Sequence, residues 1–179
     1  MSGKNEKEAA DNFLGYFNET ISCITSQPLT AFRQSKKLYR AYLNPPAGLQ
    51  TKSGGRLVVS ITQVFGVGQD PSDKKRFKVR TQHYSYVLYQ ATDEGNEQIL
   101  SYHWHPQNSA VHAPHLHVAC VPRVHFPTSR VCVEDFVWMI IQYYGAQPTM
   151  KKSEWTAILE KNKKAFEQMA SWKISPPWG

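Results

Sequence analysis

The sequence predicts an α+β fold, a four-stranded antiparallel meander sheet packed by N-terminal and C-terminal helices. Three observations carry that expectation. Apolar residues recur at helical spacing near both ends of the chain, the middle alternates with β-branched and aromatic residues, and the intervening turns are short and rich in Gly, Pro and Asp. At 179 residues the chain is long enough to build a full core without disulfides or a structural metal. The expected division is a helical segment over 1–50 and a sheet-and-helix domain over 51–179, joined as one compact unit.

A first helix is expected over 6–26, with Phe13, Phe17, Ile21 and Ile24 as its buried stripe and Pro28 at its end. A second is expected over 29–43, carrying Phe32, Leu38, Tyr39 and Tyr42. On it Arg33, Lys37 and Arg40 fall at i, i+4 and i+7, which makes a basic stripe. The run Asn44-Pro45-Pro46-Ala47-Gly48 stops that helix. Strands are expected over 56–65, 76–90, 98–105 and 115–124, and their short connections imply an antiparallel meander. Two helices close the chain. Val133, Phe136, Val137, Ile140, Ile141 and Tyr144 keep the helical period of the first, and Gly145 sits where a C-terminal cap belongs. Ser153 is the expected N-cap of the last helix, whose stripe is Trp155, Ile158, Leu159, Phe166 and Met169.

Charge is segregated. The formal net charge is +7. Residues 29–89 hold eleven Lys and Arg against two acids, a net of +9, and the remainder nets −2. Such concentration is the electrostatic footprint of a polyanion partner, RNA in the first place. The residues expected to hold its backbone are Arg33, Lys37, Arg40, Lys75, Arg76, Lys78 and Arg80. No apolar run is long enough to span a membrane, and a polar N-terminus excludes a signal peptide. Three scattered cysteines, Cys23, Cys120 and Cys132, read as reduced thiols of a cytoplasmic protein and offer no thiolate zinc pattern.

Six of the seven histidines lie between His103 and His125. Residues two apart on a strand face the same way, so His103 and His105 share a face, as do His115 and His117. A symmetric hairpin closing over 106–114 would set His105 across from His115 and His103 across from His117. Four imidazoles would then form one solvent-open patch. Such a patch suits general acid–base chemistry without a cofactor, or neutral-nitrogen ligation of a divalent metal, zinc or manganese. His112 could be a loop ligand, His83 could border the patch, and His125 reads as a turn residue before Phe126-Pro127. No carboxylate lies nearby in the strands, and the nearest in sequence is Glu97.

The stretch 84–144 resembles the TumE-like toxins of bacterial toxin–antitoxin pairs. The residues that carry the likeness are Tyr84-Ser85-Tyr86-Val87-Leu88-Tyr89, the histidine loop after Tyr102, Pro114-His115-Leu116-His117 and the helix opening Val133-Glu134-Asp135-Phe136. Where that family tends to have Arg-Tyr-Asp, this chain has Ser101-Tyr102-His103. The resemblance implies a cytoplasmic toxin, a ribonuclease restrained by an antitoxin protein. His115-Leu116-His117 is also similar to the metal motif of HUH endonucleases. Those enzymes nick single-stranded DNA with a helical tyrosine, and Tyr143 or Tyr144 would take that place. The leading expectation is a ribonuclease with His103, His105, His115 and His117 at its site. The alternatives are a metal-dependent HUH-type nuclease and a non-enzymatic module that binds nucleic acid or protein.

Overall fold

A computed structural model describes residues 2–35, 38–107 and 111–169. The four-stranded meander is overturned. The described residues form a nine-stranded antiparallel sheet with three helices. The strands are β1 (Ser2–Gly3), β2 (Thr30–Arg33), β3 (Leu38–Tyr42), β4 (Ala47–Gln50), β5 (Arg56–Gln69), β6 (Phe77–Thr92), β7 (Gly95–Trp104), β8 (His115–Val118) and β9 (Phe126–Pro127). The helices are α1 (Glu6–Ile21), α2 (Val133–Tyr143) and α3 (Lys152–Met169). The sheet order is β2-β3-β5-β6-β7-β8-β9, with β1 added to β6 and β4 to β5.

The long strands β5 and β6, 14 and 16 residues, are the spine. β5 is long enough to take β4 beside its first half and β3 beside its second. Val59 pairs with Ala47 and Val64 with Arg40. The expected helix over 29–43 is instead the hairpin β2–β3. Thr, Phe and Tyr favour a pleated surface, and no apolar residue fills the helical repeat between Phe32 and Leu38. The Gln34 and Ser35 amides donate to the Leu38 carbonyl and close the turn.

The core lies between one sheet face and the helices. Phe13 and Phe17 of α1 meet Phe65 of β5, with Phe13–Phe65 centroids 4.6 Å apart. Phe136 of α2 reaches Tyr86 and Tyr102 at 5.4 and 6.3 Å. Trp155 and Leu159 of α3 close it. Asn5 caps α1, accepting at Oδ1 from the Glu8 amide, and Glu8 Oε2 accepts from the Lys4 amide just before the cap. Gly145 takes φ +70° just beyond α2, the left-handed conformation its position called for. α3 begins at Lys152, so Ser153 lies in its first turn rather than capping it.

Gly3 holds β1 against α1, and a β-carbon there would sit 2.4 Å from the Ala9 amide nitrogen. Gly3→Ala is expected to cost about 1 kcal/mol, because a terminal strand can peel away rather than force the core apart. The melting temperature should fall by about 2–4 °C. An unchanged value would mean that β1 adds nothing to stability.

Two irregularities set up the other sheet face. Between Val64 and Phe65 the register of β5 against β6 slips, with Val64 opposite His83 and Phe65 opposite Thr81. Gln82 is the extra residue. Val79 packs on the core and Thr81 bonds to Gln63 on that side, so Lys78 and Arg80 point away from the helices. The bulge then turns His83 to that same outer face, where simple alternation would have placed Gln82. A second slip, between Leu88 and Tyr89, lies on the β7 side.

Candidate metal centre

The histidines lie on the outer face. Tyr102 and Leu116 turn toward the helices, so His103, His105, His115 and His117 turn away from them. The register differs from the expected one by two residues. His103 pairs with His115, Ser101 pairs with His117, and His105 stands one residue beyond β7. A two-residue slip keeps each side chain on its face, so the shared face survives.

The cluster also gains a fifth imidazole that sequence reasoning had assigned to a turn. β8 turns back into β9, with His115 opposite Pro127 and Leu116 opposite Phe126. Continuing that register sets His125 across from His117. The ring centroids of His117 and His125 are 4.4 Å apart, those of His115 and His125 4.8 Å, and those of His115 and His117 5.0 Å. His103 lies 5.9 Å from His115 and 5.3 Å from His117, and His105 lies 5.2 Å from His115.

His115, His117 and His125 each offer a nitrogen within 4.8 Å of the others, and this triad could hold a metal ion. Tetrahedral bonds of about 2.1 Å put ligand nitrogens roughly 3.4 Å apart. The set therefore closes by a little over an ångström, a movement that half-buried His117 and exposed His125 can supply by side-chain rotation. His115 is 1% exposed, which corrects the expectation of a fully solvent-open patch. Its Nδ1 lies 2.9 Å from the Ala113 carbonyl, which can only accept, so Nδ1 carries the proton and Nε2 is left as a ligand. His103 Nε2 is 2.8 Å from the Ser101 hydroxyl. His105 Nδ1 is buried and has no hydrogen-bond partner among the described residues. His112 Nδ1 donates to the Pro106 carbonyl from an exposed loop position.

Electrostatics favour neutral imidazoles. Burial, then the charges of His117, His115 and their neighbours, push His103 down to about 4. Burial is also the first cause that lowers His115 and His117, with the surrounding histidines adding to it. His83 is lowered by burial, by Arg40 and by His105.

The basic residues do not form the expected helical stripe. Arg33 and Arg40 lie on opposite sheet faces. The Arg33 guanidinium faces α1, 3.5 Å from Glu6, while Arg40 faces outward on the histidine side. Lys37 lies outside the described residues. Lys75 and Arg76 belong to the β5–β6 connection, where backbone bonds to Asp70 and Asp73 hold the turn. Arg40, Lys78 and Arg80 are the expected basic residues that share the histidine face.

Tyr143 and Tyr144 end a helix that packs on the core face through Phe136. Tyr143 is 74% exposed and touches Trp138. A full sheet thickness separates that helix from the imidazoles. Cys23 and Cys132 are buried free thiols, and burial pushes Cys23 up to about 11, so neither is a thiolate ligand at neutral pH. No helix among the described residues is long and apolar enough to cross a membrane. No family model matches the chain, and no curated protein and no solved structure is significantly similar to it.

Proposed function

We propose that this protein is a zinc-dependent ribonuclease whose ion is held by His115, His117 and His125. The observation that carries the reading is the convergence of three imidazole nitrogens within 4.8 Å on a cationic sheet face. Zinc is preferred over manganese because the donor set is all imidazole, whereas manganese suits carboxylate and carbonyl oxygen. Metal-free chemistry needs one imidazolium beside one neutral imidazole, and the cluster's interior disfavours imidazolium at His103, His115 and His117. The tyrosine-nucleophile reading is set aside because α2 lies on the opposite face.

A bound zinc ion supplies Lewis-acid polarisation of the phosphate. His105, half-buried at the edge of the cluster, accepts the proton of the ribose 2′-hydroxyl. The O2′–P bond forms, the P–O5′ bond breaks, and O5′ takes a proton from solvent. The products are a 2′,3′-cyclic phosphate and a 5′-hydroxyl.

Metal-stripped and zinc-restored protein should be assayed on single-stranded RNA and on DNA of the same sequence. RNA cleavage is expected only with zinc, with cyclic-phosphate ends and no cut in DNA. His117→Ala should lose both zinc and cleavage. His105→Ala should keep zinc and slow cleavage by about 10²- to 10⁴-fold. Cleavage that survives a chelator would return the site to acid–base chemistry, and DNA cleavage would exclude attack by the 2′-hydroxyl.

A further inference from the structure

We infer that the outer sheet face is a track for single-stranded RNA, with the Phe32 ring as a base-stacking platform and Arg40, Lys78 and Arg80 as phosphate contacts leading to the histidines. The inference rests on the reading of the site as RNA-cleaving and names the form of RNA it takes. Four strand pairings line up one row across the sheet. Phe32 pairs with Arg40, Arg40 with Val64, and Val64 with His83. The β6–β7 register then carries the row on to His105. Proximity of His83 to both Arg40 and His105 is visible in the charges that act on it. The row spans four strand spacings, about 19 Å, so several nucleotides fit between platform and centre.

The platform is built of aromatic and cationic groups in contact. Phe32 is 44% exposed and meets Tyr42 edge to face at 6.1 Å, and the Arg40 guanidinium lies over the Tyr42 ring at 5.6 Å. An exposed phenyl ring on a polar sheet face, braced from one side, leaves its free face for a base. Lys78 and Arg80 continue the positive charge along β6. Strands β2, β3, β5 and β6 contain no Asp or Glu at all. Nine of the chain's fourteen acidic residues lie on α1, α2 and α3, against the other face. The molecule is therefore polarised, with most of its acids on the helix side and Arg40, Lys78 and Arg80 on the histidine side. A duplex hides its base faces in the stack and offers none to Phe32, whereas an unpaired strand offers one per nucleotide.

The test uses the full chain after metal removal, so that binding is read without cleavage. Fluorescence anisotropy would follow a labelled single-stranded RNA and a duplex RNA of equal length. Phe32→Ala should weaken single-strand binding about 5- to 100-fold and leave duplex binding unchanged. Phe32→Trp should restore it. Arg40→Gln with Arg80→Gln should weaken both RNAs and reduce the salt slope for the single strand by about 1.4. The half-exposed Phe32 should leave the melting temperature nearly unaltered, which separates binding from folding. Equal loss for duplex and single strand, no loss with Phe32→Ala, or tighter binding of single-stranded DNA than of RNA would each overturn the inference. If Phe32→Ala acts as expected but zinc-loaded protein cuts no RNA, the track stands and the ribonuclease reading falls. If RNA is cut and Phe32→Ala changes nothing, the reverse holds.

Discussion

Zinc at 100 times its dissociation constant is expected to raise the melting temperature of metal-stripped protein by about 5–11 °C. Binding to the folded state alone is worth about 2.7 kcal/mol at that excess, and a domain of this size moves by roughly 2–4 °C per kcal/mol. His117→Ala and His125→Ala should each abolish the shift, since each removes one of three ligands. His103→Ala should retain it, because His103 borders the triad without belonging to it. Magnesium, which demands oxygen ligands, should give no shift. The effect has a pH window with a definite sign. His103, His115 and His117 have folded pKa values below the ordinary 6.5. The unfolded chain therefore takes up protons first as pH falls below about 6.5, and stability present at neutral pH is lost on the way down. For His103 that loss continues until pH approaches about 4. Zinc competes with the protons that bind His115 and His117, so its stabilisation should also shrink as pH falls. Differential scanning fluorimetry at pH 7, 6 and 5, with and without zinc, measures both trends. A zinc-independent melting temperature at pH 7 would remove the metal centre.

The shared histidine face was legible because alternation is a local property that survives a register error of two. The spacing of His103 with His105, and of His115 with His117, needed no knowledge of the turn. His125 was not read because the strand was carried through to residue 124. Pro122 stood in that run and cannot donate to a ladder. Ending the strand before it and folding the chain back would have set His125 opposite His117. The helix predicted over 29–43 failed for a related reason. Arg33, Lys37 and Arg40 fit a helical face by number, but Thr30, Phe32, Tyr39 and Tyr42 are residues of a pleated surface, and the charged stripe outweighed them. The strand count failed through β5, whose length gives its edge room for two short partners end to end. The bulge at Gln82, which brings His83 to the outer face, has no signature in the sequence. The helices closing the chain were legible because Phe136, Ile140 and Trp155 keep their period over several turns.

Glu134→Gln is expected to stabilise the protein at pH 8 by about 1–3 kcal/mol, the scale of a buried oxygen left without a hydrogen-bond partner, and to leave it unchanged at pH 4. Glu134 is 1% exposed, between α1 and α3. Thr20 donates to its Oε1 at 2.9 Å, and Asn162 donates to the Thr20 hydroxyl at 3.0 Å, so the carboxyl ties three helices together. Oε2 has no partner within bonding distance among the described residues. Burial pushes the carboxyl above its usual value, and the hydrogen bonds only partly oppose it. A raised folded pKa means that the group favours folding below the unfolded pKa, near 4.5, and that this contribution is lost as pH rises through the folded value. The wild-type protein should therefore lose stability relative to the amide as the medium turns alkaline. Glutamine keeps the oxygen that Thr20 needs and stays neutral. Its amide can donate toward the Tyr16 hydroxyl oxygen, whose own proton goes to the Asn162 carbonyl. Glu134→Ala is a different change. It leaves the Thr20 hydroxyl proton without its acceptor and opens a void between helices, at a cost of about 2–4 kcal/mol at pH 4 that shrinks as pH rises, because Ala also removes the buried charge. Melting curves from pH 4 to pH 8 separate these cases. A wild type and Glu134→Gln pair that ran parallel across that range would mean that Glu134 titrates as an ordinary carboxyl, and that the helix junction tolerates its charge.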